Sequence, residues 1–251
     1  MSKIIIANWK TNPATVKKAV NLAKEIDRGT RRIKKAIIVI ATPFPYLRDV
    51  GKAIRRAHLG AQNAFMKDTG AYTGEVSSPM LVSVGVKYVI IGHSERRMYA
   101  HEKNEEINEK MKRVLASNVS PVLCIGERDR TKENFYRFVK HQLLLGLHGI
   151  PKSKAKKIII TYEPVWAIGT GKPVSPDDLR EMVVYIRRVL FDIFGRKAAH
   201  SIPVLYGGSV TPKNASQFLG VQGVSGLLVG GASLDPDGFI EIVKSVSRKN
   251  Q

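Results

Sequence analysis

The chain is poor in cysteine, in long apolar runs and in acid. Cys124 is the one cysteine among 251 residues, so no intrachain disulfide can form and secretion is neither required nor suggested. The longest unbroken aliphatic run, Ala36 to Ala41, is far short of the roughly 20 residues that a membrane-spanning helix needs. Met1 to Asn8 hold too short an apolar stretch for a signal peptide, so a cytoplasmic protein without membrane association is expected. No Pro/Gly/Ser-rich linker divides the chain and no fixed-period repeat occurs, which excludes solenoids and suggests one domain over residues 1–251. HExxH and CxxC spacings are also missing, and neither metal nor organic cofactor is expected.

What is present describes a globular protein: 43% hydrophobic and 25% charged residues, on a chain long enough to bury about three-quarters of its unfolded surface. The charge balance is unusual. Lys and Arg number 41 against 21 Asp and Glu, a net +20, and residues 1–60 alone hold 14 basic and 3 acidic side chains. Such a surplus favours acidic partners, whether nucleic acid, an anionic membrane surface or a phosphorylated small molecule. A solvated surface drifted toward Lys and Arg accounts for it equally. Charge alone does not choose.

Eight short β-prone runs recur: Ile4–Ala7, Ala36–Ala41, His58–Gln62, Tyr88–Gly92, Pro121–Ile125, Ile158–Tyr162, Pro203–Gly207 and Gly226–Gly230. Most are continuous rather than alternating, as suits strands buried on both faces of a parallel sheet. Helical stretches lie between them, at Thr15–Ile26, Asn104–Leu115, Asn134–Leu145 and the segment opened by Ser175-Pro176-Asp177-Asp178. In the last, Leu179, Met182, Val183, Ile186 and Leu190 share one helix face. Thr211-Pro212 and Asp235-Pro236 are read as similar helix starts. Strand then helix, eight times over, predicts an α/β fold, a single (β/α)8 barrel, with a doubly wound open sheet as the alternative.

Barrels gather chemistry at the carboxyl ends of their strands. Here those ends run into Asn8-Trp9-Lys10, Gly92-His93-Ser94-Glu95, Cys124-Ile125-Gly126-Glu127 and Glu163-Pro164. Lysine, histidine and glutamate leaving three strands at one mouth make an acid–base set. Gly207-Gly208-Ser209 and Gly230-Gly231 follow the seventh and eighth strands, where barrels bind phosphate through backbone amides. Proton transfer on a small phosphorylated substrate is the expectation.

The chain resembles the triosephosphate isomerases, a family the barrel is named for and one of the worked examples of tuned acid–base groups. Ala7-Asn8-Trp9-Lys10, Gly60-Ala61-Gln62-Asn63, TGAYTGEV over Thr69–Val76, IGHSERR over Ile91–Arg97, CIGE, YEPVWAIGTG over Tyr162–Gly171, YGGSV and LVGGASL carry it, in order and end to end. The resemblance implies Glu163 as catalytic base and His93 as a neutral electrophile at a helix N-terminus. Lys10 would supply an ammonium beside the developing enediolate, with Glu95 as its partner. It further implies substrate binding by Asn8, Lys10, Gly169, Ser209, Gly230 and Gly231, and a lid made of Pro164, Val165, Trp166, Ala167, Ile168, Gly169, Thr170, Gly171, Lys172, Pro173 and Val174. Cys124 matches a buried cysteine near the base. The implied assembly is a homodimer, with the loop of Thr73 and Glu75 reaching the partner.

Glu95 has a second reading, as neutraliser of Arg96 or Arg97. Pro173 fixes φ in the second lid hinge, so a stiffer hinge is expected. Gly169-Thr170-Gly171-Lys172 is no phosphate-binding Walker loop, because Trp166 and Pro173 occupy two of its required positions. The basic surplus reads as spread over helical segments without interleaved aromatics, so nucleic-acid binding is expected to be weak, salt-sensitive and nonspecific.

Overall fold

The computed structural model describes residues 2–130, 135–167 and 173–247. Its strands are β1 (Lys3–Asn8), β2 (Ala36–Thr42), β3 (His58–Ala61), β4 (Tyr88–Ile91), β5 (Ser120–Ile125), β6 (Ile159–Tyr162), β7 (Val204–Tyr206) and β8 (Gly226–Val229). All pair in parallel in sequence order, and the sheet closes on itself. Ile4 lies opposite Ile37 of β2 on one side and Gly226 of β8 on the other. That last pairing decides for the barrel over the open sheet.

The continuous apolar runs serve two cores at once. Ile4, Ile6, Val39, Ala41, Val122 and Cys124 point into the barrel interior. Ile5, Ala7, Ile38 and Ile40, the alternating neighbours, belong to the larger core beneath the helices.

The helices are α1 (Val16–Thr30), α2 (Leu47–Ala53), α3 (Ser78–Ser83), α4 (Ser94–Tyr99), α5 (Asn104–Ala116), α6 (Phe135–Gly146), α7 (Pro176–Phe194), α8 (Arg196–His200), α9 (Ala215–Gly220) and α10 (Pro236–Lys244). Ser175 caps α7 by accepting the Asp178 amide at 3.1 Å, and the apolar stripe from Leu179 to Leu190 is buried. Asp235 caps α10 in the same manner. Thr211-Pro212 is a correction. There α9 starts only at Ala215, because the Asn214 side chain takes the Thr211 amide at 2.7 Å and holds residues 211–214 as a turn. None of the described helices is long and apolar enough to cross a membrane.

Candidate active site

At the mouth, the carboxyl end of the strands, the backbone turns sharply after β1. Lys10 adopts a left-handed conformation, φ 52°, which a non-glycine residue holds only under local restraint. Asn8 Oδ1 accepts the Lys10 amide at 3.1 Å, and Gln62 Nε2 donates to the carbonyls of Lys10 (2.9 Å) and Ala41 (3.0 Å). The Lys10 ammonium then meets Glu95 Oε1 at 2.5 Å. Glu95 therefore faces Lys10 rather than Arg96 or Arg97. Arg96 pairs with Glu102, and Arg97 donates to the carbonyls of Gly92 (2.7 Å) and Cys124 (3.1 Å) and to Asn104 Oδ1 (2.7 Å).

His93 flanks the N-terminus of α4. Its Nδ1 accepts the Glu95 amide at 3.3 Å, which leaves the ring hydrogen to Nε2. Glu163, only 1% exposed, puts Oε2 3.0 Å from the Ser94 amide. Oε1 lies 3.2 Å from His93 Nε2 without hydrogen-bond geometry, and has no hydrogen-bond partner among the described residues. A buried carboxylate oxygen left open in this way is costly unless a ligand uses it.

Two glycines make room for Glu163, one for its backbone and one for its side chain. A Cβ on Gly126 would come within 1.7 Å of the Glu163 carbonyl oxygen, and one on Gly207 within 3.1 Å of Glu163 Cγ. Cys124 is fully buried below. Burial, then the negative charge of Glu163, pushes its thiol well up, so the sulfur is a packed thiol rather than a nucleophile.

Two of the cavities lined by described residues share this set between them. Asn8, Lys10, His93 and Glu95 line a cavity of about 630 Å³. Glu163 faces a second one of about 330 Å³, together with Ser94, Arg97 and Cys124. The free amide at the start of α4 holds the carboxylate on that side.

Beyond β8, Gly231 opens a short 3₁₀ helix, Gly231–Leu234, and Gly230 borders Lys10, whose Cε would sit 3.3 Å from a Cβ there. Ser209 is half-buried after β7, its carbonyl accepting Asn214 Nδ2 at 3.1 Å. Of the expected lid, Pro164–Ala167 and Pro173–Val174 are described; Ile168, Gly169, Thr170, Gly171 and Lys172 lie outside the described residues. The first stem is pinned to the turn after β5. Trp166 Nε1 donates to Glu127 Oε1 at 2.9 Å, and the Val165 amide donates to the Glu127 carbonyl at 2.9 Å. Thr73 and Glu75 sit exposed on the 62–77 loop.

Three buried groups here received no role from the sequence. Arg97 braces β4 against β5. Glu127 also accepts from the Tyr162 hydroxyl at 2.8 Å, which burial and that carboxylate push far above the usual phenol range. Glu102 binds Lys110 at 2.5 Å as well as Arg96, and Lys110 reaches Asn63 Oδ1 at 3.2 Å. The legible signal was a carboxylate standing directly after a buried strand, as Glu127 does.

A closed (β/α)8 barrel whose mouth gathers lysine, histidine and glutamate defines a class, the barrel enzymes equipped for acid–base chemistry. The family model described as triosephosphate isomerase matches residues 3–246, and the chain belongs to the triosephosphate isomerase family. It is thus an isomerase of the aldose–ketose type. It is 44% identical over 250 residues to the triosephosphate isomerase of Fusobacterium nucleatum, covering 98% of this chain and 99% of that one. It is 40% identical to that of Alkaliphilus metalliredigens, over 96% of this chain and 98% of the relative. Identity to the Dictyoglomus turgidum enzyme is 41%, over 97% and 99%.

Proposed function

We propose that the chain interconverts D-glyceraldehyde 3-phosphate and dihydroxyacetone phosphate, in glycolysis and gluconeogenesis, with Glu163 as the base. The observation that carries this reading is the open Oε1 of a buried Glu163, 3.2 Å from the protonated nitrogen of His93. In the proposed step Glu163 takes a proton from the carbon next to the substrate carbonyl. His93 Nε2–H donates to the oxygens of the resulting enediolate, and the Lys10 ammonium stabilises their charge. Glu163 then returns a proton to the neighbouring carbon while the hydroxyl proton passes from one enediolate oxygen to the other beside His93, so no oxidant or cofactor is consumed. To reach a substrate held between Lys10 and His93, Glu163 leaves the Ser94 amide and turns toward the larger cavity.

The phosphate is assigned to the backbone at Ser209, Gly230, Gly231 and Gly169, where a 3₁₀ helix start favours an anion. The lid over residues 164–174 excludes water, so that the enediolate is reprotonated before phosphate is lost. Homodimer formation is supported by exposed Tyr72, Met80 and Tyr99 (44%, 56% and 76% exposed). The cavity beside Lys10, which Thr11, Phe44 and Tyr99 also line, suits the partner's Thr73 loop. A cytoplasmic location follows from the reading.

Glu163→Gln tests it directly. Conversion of glyceraldehyde 3-phosphate by the parent, with a fall in kcat of about 10²–10⁴ in the variant, is the expected result. A variant as active as the parent would remove Glu163 from the chemistry.

A further inference from the structure

The seven connections that lead from a helix into the next strand are 31–35, 54–57, 84–87, 117–119, 147–158, 195–203 and 221–225. They hold 13 lysines and arginines and no aspartate or glutamate. The connections at the mouth are 9–15, 43–46, 62–77, 92–103, 126–134, 163–175, 207–214 and 230–235. They hold 10 basic and 9 acidic residues. The eight helices outside these stretches carry 15 and 12. The expectation of a surplus spread over helical segments is therefore corrected: it sits on the floor of the barrel, opposite the mouth.

Part of that charge serves the fold. Lys3, Arg56, Lys154 and Lys157 donate to main-chain carbonyls at helix ends and strand starts, where cations also oppose the helix dipoles. The remainder has no such duty. Arg31, Arg32, Lys34 and Lys35 before β2, and Arg55 before β3, are exposed, with no side-chain partner among the described residues. The same holds for Lys152 and Lys156 before β6 and for Arg196 and Lys197 before β7. A Cβ on Gly195 would lie 3.8 Å from Lys152 Nζ, so the latter two groups form one patch. His58 registers the field: partial burial, then the charges of Arg56 and Lys87, lower its pKa.

We propose that the floor binds duplex nucleic acid through its phosphate backbone, without reading sequence. A duplex presents about one negative charge per 1.7 Å and is held by lysine and arginine alone. The floor offers that and little more. None of the large hydrophobic side chains exposed among the described residues falls within the floor's connections. The floor therefore lacks the apolar insertion of a membrane-surface helix and the aromatic core of a protein interface. Its exposed rings, among them the imidazoles of His58 and His200, tilted against Tyr88 and Phe191, are too few for the successive stacking that holds single strands. The basic connections before β2 to β4 and before β6 and β7 form two arcs, separated by the uncharged stretches 117–119 and 221–225. The mouth stays open while the floor is occupied, so isomerisation continues on the bound protein.

The test is anisotropy of a short labelled DNA duplex of mixed sequence, titrated with the full chain. The floor variant combines Arg31→Glu, Lys34→Glu, Lys35→Glu, Lys152→Glu and Lys156→Glu. A control of equal net charge combines Lys17→Glu, Lys18→Glu, Arg137→Glu, Lys140→Glu and Lys213→Glu, all exposed and off the floor. The parent should lose about 10³-fold or more in affinity between roughly 50 and 200 mM salt. The floor variant should bind at least tenfold more weakly than the control, with the slope of log affinity against log salt shallower by about four. Triose turnover should be unchanged in both variants, which also reports that they fold. Equal losses in the two variants would overturn the proposal, as would no saturable binding at low salt or tighter binding to phosphatidylserine vesicles than to the duplex.

Discussion

At the mouth of the barrel charge is met by charge, whereas on the floor it is left to solvent. Lys10 faces Glu95, Arg96 and Lys110 share Glu102, and Arg130 meets Asp178 at 3.2 Å. On the floor side, Asp27 is spent inward. Buried in α1, it accepts the amides of Arg55, Arg56 and Ala57 at 3.1, 2.7 and 2.7 Å. The contrast shows that position in a barrel, not composition, decides what a charged residue does. Ion pairs at the mouth fix the geometry that chemistry needs, and they are partly shielded from salt. The floor cations that meet no main-chain carbonyl fix no such geometry and stay exposed.

The largest effect that would sharpen this contrast is on stability. Glu102→Ala leaves Lys110 buried without its anion and should cost about 3–5 kcal/mol, read by denaturant unfolding. Lys34→Ala on the floor should stay within about 0.5 kcal/mol. Similar losses in both would break the distinction. Asp27→Ala removes the acceptor that orders the start of β3, at a cost of about 1–3 kcal/mol. If it left the unfolding midpoint in place, the floor would owe nothing to that carboxylate. In the lid, Pro173→Ala should speed hinge relaxation and change turnover with it; unchanged values for both would show that the proline does not stiffen the hinge.

The smallest effect concerns His58. Its pKa is lowered from 6.5, so its contribution to stability is present above that pH and is lost as pH falls through the lowered folded value. Lys87→Gln should raise the His58 pKa in an NMR titration. No movement would mean that burial alone sets it and that the floor's field is screened.

Most of the strand pattern was legible in sequence because each strand is buried on both sides, which writes itself as a continuous apolar run. Closure was not. Nothing local to Gly226–Val229 says that it pairs with Ile4–Ala7 rather than ending an open sheet. The Lys10, His93 and Glu163 positions were visible as polar residues directly after such runs, and family resemblance supplied their roles. Arg97 escaped notice because its three acceptors, at Gly92, Asn104 and Cys124, come from separate segments. The charge asymmetry escaped for a related reason. Mouth and floor connections alternate along the chain, so a running count of charge averages them, and only folding sorts one set from the other.

The register that joins Ile4–Ala7 to Gly226–Val229 also constrains how the chain is made. Its two halves are separated by more than two hundred residues, so a ribosome releases seven strands before the eighth can seal the cylinder. Until then the nascent sheet has two unpaired edges and an interior open along one side. Any helper that shields the emerging chain would therefore have most to do late in synthesis, when β1 has long been waiting for its second neighbour.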